Sequence, residues 1–169
     1  ATDPTVDVEF KADTMPHRLY IEDGKWKFGP IEYIDRLIGN DENNPVPSFI
    51  GNTINASFYY NNRLGFLSGA NVIMSQARDV YNFFAESQLT VTDADPIDIN
   101  ASSTRPVELY EVVTQPQGVL LFGTRQQFWL SAPETGILTP SRSVIQAISS
   151  YESDFNIHPL DLGTSIAFV

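Results

Sequence analysis

The sequence contains no cysteine and only three lysines, Lys11, Lys25 and Lys27, all within its first 27 residues. The absence of cysteine excludes disulfides, thiolate catalysis and zinc sites built on cysteine ligands. No apolar run approaches the roughly 18 residues that a membrane-spanning helix needs, so no such helix is expected. The net charge is −11 and the few cations are scattered, so tight binding of DNA or of an anionic membrane surface is not expected.

Apolar residues, by contrast, are plentiful. Of the 169 residues, 42% are hydrophobic and 12% aromatic, which is enough to build a sizeable core in about one domain. Glycine and proline separate short stretches rich in aromatic and β-branched side chains, a pattern typical of strands and turns. The sequence therefore predicts a mainly β fold of short antiparallel strands, with one or two short helical turns.

Two segments carry the clearest strand signals. Residues 17–28 alternate on both sides of an Asp23-Gly24 pair, which predicts a hairpin with a primed turn. Residues 56–75 predict three short antiparallel strands, with Asn61-Asn62 and Ser68-Gly69 as turns. Further short strands are predicted at Leu89–Thr92, Ile97–Ile99, Leu109–Val113, Val119–Phe122 and Gln127–Leu130.

Other segments leave alternatives open. Residues 31–38 have helical apolar spacing over a stretch so short that a strand fits as well. Residues 76–86 fit a helical turn or an irregular segment whose aromatic side chains fill an apolar gap. Residues 39–48 are rich in Asn, Asp and Pro and are predicted to be a loop, with a possible sub-boundary there. Residues 141–149 alternate imperfectly and are ambiguous.

The sequence pattern at each end of the chain predicts a strand that is cut short. Residues 163–169 predict a strand that stops in its apolar part, and Val6–Phe10 alternates like the last strand of something upstream. We therefore expect an internal piece of a longer protein.

The acidic side chains offer one candidate metal site. Asp93, Asp95 and Asp98 lie close together, and carboxylate oxygens at such spacing can bind Ca²⁺. A calcium loop of the EF-hand kind that starts at Asp93 would need an oxygen ligand where Ile97 stands and a glycine at position 98. An acidic turn that caps its own backbone is therefore the favoured interpretation.

No catalytic, cofactor-binding or metal-binding residue is assigned. The two histidines, His17 and His158, are far apart in sequence, and His17 is expected to be a strand residue. The nucleophile-elbow, dinucleotide-binding and P-loop motifs are absent from the sequence. Arg63 lies in an apolar region, and we expect its guanidinium to bind turn carbonyls or an aspartate.

Several short motifs occur in a fixed order along the chain. They are Met15-Pro16-His17-Arg18-Leu19, Asn44 to Gly51, Asn62 to Ser68, Asn71 to Ser75, Asp95-Pro96-Ile97-Asp98, Gly118 to Pro133, Leu138-Thr139-Pro140 and Gly163 to Val169. In this order the motifs resemble tail tubular protein B, the nozzle protein of short-tailed podovirus phages. The resemblance covers nearly the whole chain.

The resemblance implies a virion structural protein, not an enzyme, with no cofactor. Residues 1–169 would be one β-rich portion of a larger nozzle protein, with propeller-like blades or part of them. The nozzle is expected to be a hexameric ring at the tail tip that contacts the adaptor ring (tail tubular protein A), the tail fibres and the host envelope. Phage DNA and internal proteins would leave through its lumen, and the DNA would not be bound specifically.

One alternative from another class remains open at this stage. Aromatic residues such as Trp26 and Trp129 could form a sugar-stacking platform beside a pair of carboxylates. The chain would then be a secreted β domain that binds or cleaves host-surface carbohydrate.

Overall fold

A computed structural model describes residues 10–103 and 105–169, and within them the chain forms antiparallel β-sheets. The mainly β fold is thereby confirmed. Val6–Glu9, which hold most of the predicted first strand, lie outside the described residues. The strands are β1 (Arg18–Glu22), β2 (Lys25–Gly29), β3 (Ala56–Tyr60), β4 (Arg63–Ser68), β5 (Asn71–Met74), β6 (Ile97–Asn100), β7 (Leu109–Gln115), β8 (Gly118–Gly123), β9 (Gln127–Ser131), β10 (Val144–Ser149), β11 (Leu160–Asp161) and β12 (Ile166–Ala167).

The first hairpin forms where the sequence predicts it. Strands β1 and β2 pair antiparallel across a two-residue turn at Asp23 (φ 52°) and Gly24 (φ 72°). Positive φ at both central residues is the geometry of a type I′ turn, whose twist matches that of the flanking strands. In this register Leu19 lies opposite Phe28 and Ile21 lies opposite Trp26.

Strands β3 to β6 form the first four-stranded sheet, in sequence order. The three strands predicted within residues 56–75 are all present, and Asn61 (φ 49°) and Asn62 (φ 59°) form the first turn between them. The fourth strand, β6, pairs with β5 after a long connection, with Met74 opposite Ile97. This sheet is therefore an antiparallel meander.

Strands β7 to β10 form a second four-stranded meander, again in sequence order. The predicted strands at 109–113, 119–122 and 127–130 are confirmed as β7, β8 and β9. The ambiguous segment 141–149 supplies the edge strand β10. Register shifts at Tyr110 and Ile148 bend the two edge strands.

The two meanders share one apolar core. Alternate side chains of the first sheet point to the same face as Leu67 and Met74, and those of the second sheet to the same face as Leu121 and Phe128. The buried core residues are Phe58, Leu67, Val72, Met74, Ile97, Ala101, Leu109, Val119, Leu121, Phe128, Leu130, Ala132 and Leu138. Burial of these faces excludes water from both sheets and fixes which side of each strand faces inward.

A second, aromatic core covers the opposite face of the first sheet. Phe66 and Ile73 form the sheet side of this core, and loop residues pack on them. The ring of Phe49 meets Phe66 edge-on at a centroid distance of 5.4 Å, and Phe83 stacks on Phe66 at 5.3 Å. The first sheet is thus buried on both faces.

The prediction of one or two helical turns was wrong, because the described residues contain no helix. These residues therefore include no helix that could cross a membrane. Segment 31–38 and segment 76–86 instead meet through a single parallel bridge between Ile34 and Asn82. The backbone N–H of Ile34 donates to the Tyr81 carbonyl at 3.0 Å. Residues 31–38 have no regular structure apart from this bridge, and residues 76–86 are mostly turns, bends and isolated bridges. Both segments place aromatic side chains on the first sheet, which is the gap-filling alternative considered for 76–86.

Two strand predictions were wrong in extent. Residues 89–92 form no strand, and Leu89 is 95% exposed, so nothing buries the apolar side chain that suggested one. Within segment 163–169 only Ile166–Ala167 forms a strand, which pairs with β11. The 39–48 loop is present as predicted, and the buried Asn44 side chain holds it to residue 85.

Candidate functional site

Arg63 is the most deeply buried charged side chain among the described residues, with 1% of its surface exposed. It begins β4, directly after the Asn61-Asn62 turn, and points into the connection between β5 and β6. The guanidinium donates to four backbone carbonyl oxygens, those of Ser75 (2.7 Å), Asp93 (2.6 Å), Ala94 (3.2 Å) and Asp95 (2.8 Å). The predicted binding of turn carbonyls is therefore confirmed.

This arrangement gives Arg63 a structural role. Burial lowers the pKa of the Arg63 guanidinium, and the nearby carboxylates of Asp95 and Asp93 act in the opposite direction. The planar guanidinium of an arginine can donate to several carbonyl oxygens at once, which the single ammonium group of a lysine could not do in the same geometry. The arginine thereby fixes the acidic turn on the end of the first sheet.

The acidic turn itself is capped by the side chain of Asp95. The Asp95 carboxylate accepts from the Thr92 backbone N–H at 2.8 Å and from the Thr92 hydroxyl at 2.9 Å. Asp98 accepts from the Ser48 backbone N–H at 2.8 Å and from the Asn71 amide at 3.2 Å. The Asp95 contacts are those of the favoured capping interpretation, whereas Asp98 lies in β6 and binds residues outside the turn. The described residues hold no cluster of three potential metal ligands.

The two histidines lie in separate places. His17 precedes β1 by one residue, so the expectation that it lies within a strand is wrong by one position. Its ring stacks on Phe28 at 5.3 Å, and its Nδ1 lies 3.0 Å from the Met15 carbonyl oxygen. His158 Nδ1 lies 2.8 Å from a Glu111 carboxylate oxygen, on the second sheet. Each imidazole thus has its own local partner.

The two tryptophans lie apart from each other and from a cleft on the second sheet. Trp26 is exposed on the hairpin, whereas Trp129 lies in β9, with its ring close against Gly118. A cleft of about 840 Å³ lies at one end of the second sheet and is lined by neither tryptophan. Glu152 is the one carboxylate among its described lining residues. The two elements of the carbohydrate alternative, stacking rings and a carboxylate pair, are therefore not assembled in this cleft.

A feature that sequence reasoning missed is the exposed apolar face of the β1–β2 hairpin. Leu19, Ile21, Trp26 and Phe28 share one face in the observed register, and each is between 60% and 73% exposed. The signal was present, because period-2 alternation on both strands puts these four residues on one side. The sequence pattern did not indicate that the described chain leaves this side uncovered.

Two antiparallel meanders share one core, and the Arg63 guanidinium fixes the connection between β5 and β6, so the described chain is built as a β-sheet scaffold. Comparison with known families agrees with this class: the model of the bacteriophage nozzle protein family matches residues 1–169. The chain belongs to that family, and it is part of a virion tail component with a structural role.

A curated relative gives the particular protein that this chain is similar to. Tail tubular protein gp12 of Escherichia phage T7 is 34% identical over 157 residues, which cover 92% of this chain. The match covers 20% of the relative, so the chain spans about a fifth of the length of the protein it matches. The expected resemblance to a podovirus tail nozzle protein is confirmed.

Proposed function

We propose that this chain is a β-propeller portion of a hexameric tail nozzle through which phage DNA and internal proteins leave the virion. The observation that carries the proposal is the pair of consecutive four-stranded meanders, β3 to β6 and β7 to β10, packed on one core. A propeller repeats four-stranded antiparallel sheets of this kind around an axis. The remaining blades would come from other parts of the longer protein.

The charge of the chain suits a conduit for DNA. At −11 the chain repels phosphate, and two of its cations, Arg36 and Arg63, are buried. Because phosphate contacts supply most non-specific affinity for DNA, a wall with few exposed cations lets a duplex pass without being held. We therefore propose a structural role in transport, and the relationship to a family of structural tail proteins supports a role without catalysis.

The proposed partners follow from the same reading. The ring would join the adaptor ring, formed by tail tubular protein A, and the tail fibres, and its tip would contact the host envelope. Within the chain, we propose that the 39–48 loop is a sub-boundary, because it connects the hairpin segment to the first meander.

Electron microscopy of the full-length protein and of the source virion tests the assembly. We expect six-fold rings, with the two meanders fitting adjacent blades of a propeller at the tail tip. A closed monomer that never enters a ring or a virion would contradict the proposal.

A DNA-binding assay tests the conduit, and a polysaccharide-cleavage assay tests the structural role. The assembled protein should not retain duplex DNA at about 0.15 M salt, where non-specific contacts are already weakened. Incubation with host-surface polysaccharide should release no reducing ends. Strong retention of DNA would contradict the conduit, and release of reducing ends would favour the carbohydrate-cleaving alternative.

A further inference from the structure

Residues 153–169, which we call the strap, lie against the face of the second sheet that is opposite the shared core. The ring of Phe168 meets that of Phe122 at a centroid distance of 5.3 Å, and Phe155 stacks on Tyr110 at 5.0 Å. The strap's own regular structure is limited to the two-residue strands β11 and β12. Contacts with the sheet therefore do much to hold the strap in place.

One ion pair joins the strap to this face of the sheet. Glu111 lies directly opposite Phe122 in the β7–β8 register, so both side chains belong to the face that the strap covers. The Glu111 side chain is 20% exposed, and its carboxylate oxygen lies 2.8 Å from Nδ1 of His158. Among the described residues this carboxylate has no other hydrogen-bond or ion-pair partner. A largely buried carboxylate thus depends on one histidine of the strap.

The two surfaces that meet here are otherwise acidic. Residues 107–123 and 153–169 contain no lysine or arginine. Their carboxylate residues are Glu108, Glu111, Asp154 and Asp161. The neighbouring cation Arg125 follows β8 and lies 3.8 Å from Glu152, just before the strap. His158 is therefore the one side chain of these two segments that can carry a positive charge.

The other titratable groups of these segments have partners of their own. Their contacts are hydrogen bonds from the Tyr110 hydroxyl to Glu108 (2.7 Å), from the Gln115 amide to Asp161 (2.9 Å) and from Asn156 to Asp154 (2.8 and 2.9 Å). The hydrogen bond to Glu108 raises the pKa of Tyr110, and the bonds from Asn156 lower the pKa of Asp154. Histidine is the side-chain type here whose charge ordinarily changes between about pH 6 and pH 8.

We propose that the strap is a pH-sensitive closure of the second sheet, tightened when His158 gains a proton beside Glu111 and loosened when it loses that proton. An ionised carboxylate attracts the imidazolium more strongly than the neutral ring, so the docked strap binds the proton more tightly than an open one. By linkage, docking strengthens as the pH falls from about 8 to about 6. The imidazole is 83% exposed, so solvent reaches it without any opening.

Hydrogen–deuterium exchange of the full-length protein at about pH 6 and about pH 8 measures how often the strap opens. After correction for intrinsic exchange rates, the reporting amides are those of Ser153, Asp154 and Leu162, which donate to carbonyls of Thr124, Val169 and Ser165. We expect opening to be about two- to fivefold more frequent at the higher pH, the range that an exposed ion pair gives. Exchange in β8 should stay the same and checks that the sheet is intact.

Two variants fix the charge at position 158. His158→Gln keeps a polar side chain without charge, so strap exchange at both pH values should equal that of the parent at the higher pH. His158→Lys keeps a positive charge and should match the parent at the lower pH. His17→Gln is the matched control, because it removes the other histidine of the chain and should leave the pH response unchanged.

Three outcomes would overturn the proposal. The first is equal strap exchange in the parent and His158→Gln at about pH 6. The second is a pH response that survives in His158→Gln or disappears in His17→Gln. The third is an unchanged response in Glu111→Gln, which would show that the proton does not act through this pair.

Discussion

The ring of Phe58 lies directly over Gly65, its partner on the neighbouring strand of the first meander. A Cβ atom added at Gly65 would lie 2.3 Å from Phe58 Cζ and 2.5 Å from Cε1, well inside any real contact. Phe58 belongs to the core shared by the two sheets. The ring therefore occupies the space that a Cβ atom at position 65 would need, so this strand pair requires glycine there.

Gly65→Ala should lower the free energy of unfolding by about 1–3 kcal/mol, the usual cost of overpacking a core. The rigid ring of Phe58 must move, and the core around it leaves little room. Urea unfolding measures the change. Gly29→Ala is the matched control, since its nearest contact would be Tyr20 at 3.8 Å. Equal stabilities of the two variants would contradict this account of the pair.

Arg63→Met should lower the free energy of unfolding by about 3–5 kcal/mol, because it leaves buried carbonyl oxygens without their charged donor. Arg63→Lys should recover only part of this loss, since one ammonium cannot bind four carbonyls arranged around a planar group. Thermal and urea unfolding both report the difference. The exposed Arg105→Met is the control and should change stability by no more than about 0.5 kcal/mol. Full stability in Arg63→Lys would show that charge alone matters.

Calcium should leave the thermal unfolding temperature unchanged even at about 10 mM, above the dissociation constants of the weakest protein calcium sites. The reason is that Asp95 and Asp98 already accept hydrogen bonds from Thr92, Ser48 and Asn71. Differential scanning calorimetry with calcium and with a chelator makes the comparison. A rise in unfolding temperature that Asp95→Asn abolishes would reinstate the metal interpretation of the acidic turn.

Stability should fall in alkaline solution because of Tyr33. Burial, and to a lesser degree Tyr81, raise the pKa of Tyr33 from 10.0 to about 12. As the pH rises through this interval, the unfolded chain loses the Tyr33 proton before the folded chain does. Stability that is fully present below pH 10 is therefore lost progressively towards pH 12.

The Tyr33→Phe variant isolates this effect. At neutral pH it should cost about 1 kcal/mol, because it removes the hydrogen bond from the Tyr33 hydroxyl to the Pro16 carbonyl. Between about pH 10 and pH 12 the variant should lose less stability than the parent, as measured by urea midpoints. The exposed Tyr59→Phe is the control, and a parallel decline in all three proteins would contradict the assignment.

The parts of the fold that follow from sequence are those with local causes. Asp23-Gly24 and Asn61-Asn62 accept positive φ, so their turns and the strands beside them were predictable. Neither the helix nor the strand considered for residues 31–38 formed, because apolar spacing over two turns does not distinguish a regular element from an irregular segment that covers a sheet. The strand predicted at Leu89–Thr92 was wrong, because an apolar side chain in a short stretch does not show which other residues bury it.

The candidate site divides in the same way. The unusual position of Arg63 was visible in sequence, but three of its four acceptors lie about 30 residues away and depend on how the β5–β6 connection returns. The family resemblance was readable because motifs keep their order along the chain. The uncovered hairpin face was not, since exposure is set by the tertiary packing of every other element.

The reach of the Arg63 clamp has a consequence for the order in which this chain matures during synthesis. Strands β3, β4 and β5 leave the ribosome together, and short turns join them, so they can pair early. The guanidinium can bind the Ser75 carbonyl once β5 has emerged, but its other three acceptors become available only when residues 93–95 emerge, and β6 follows directly behind them. Closure of the first meander is thus timed by the arrival of its acidic turn, some 30 residues after the arginine that receives it.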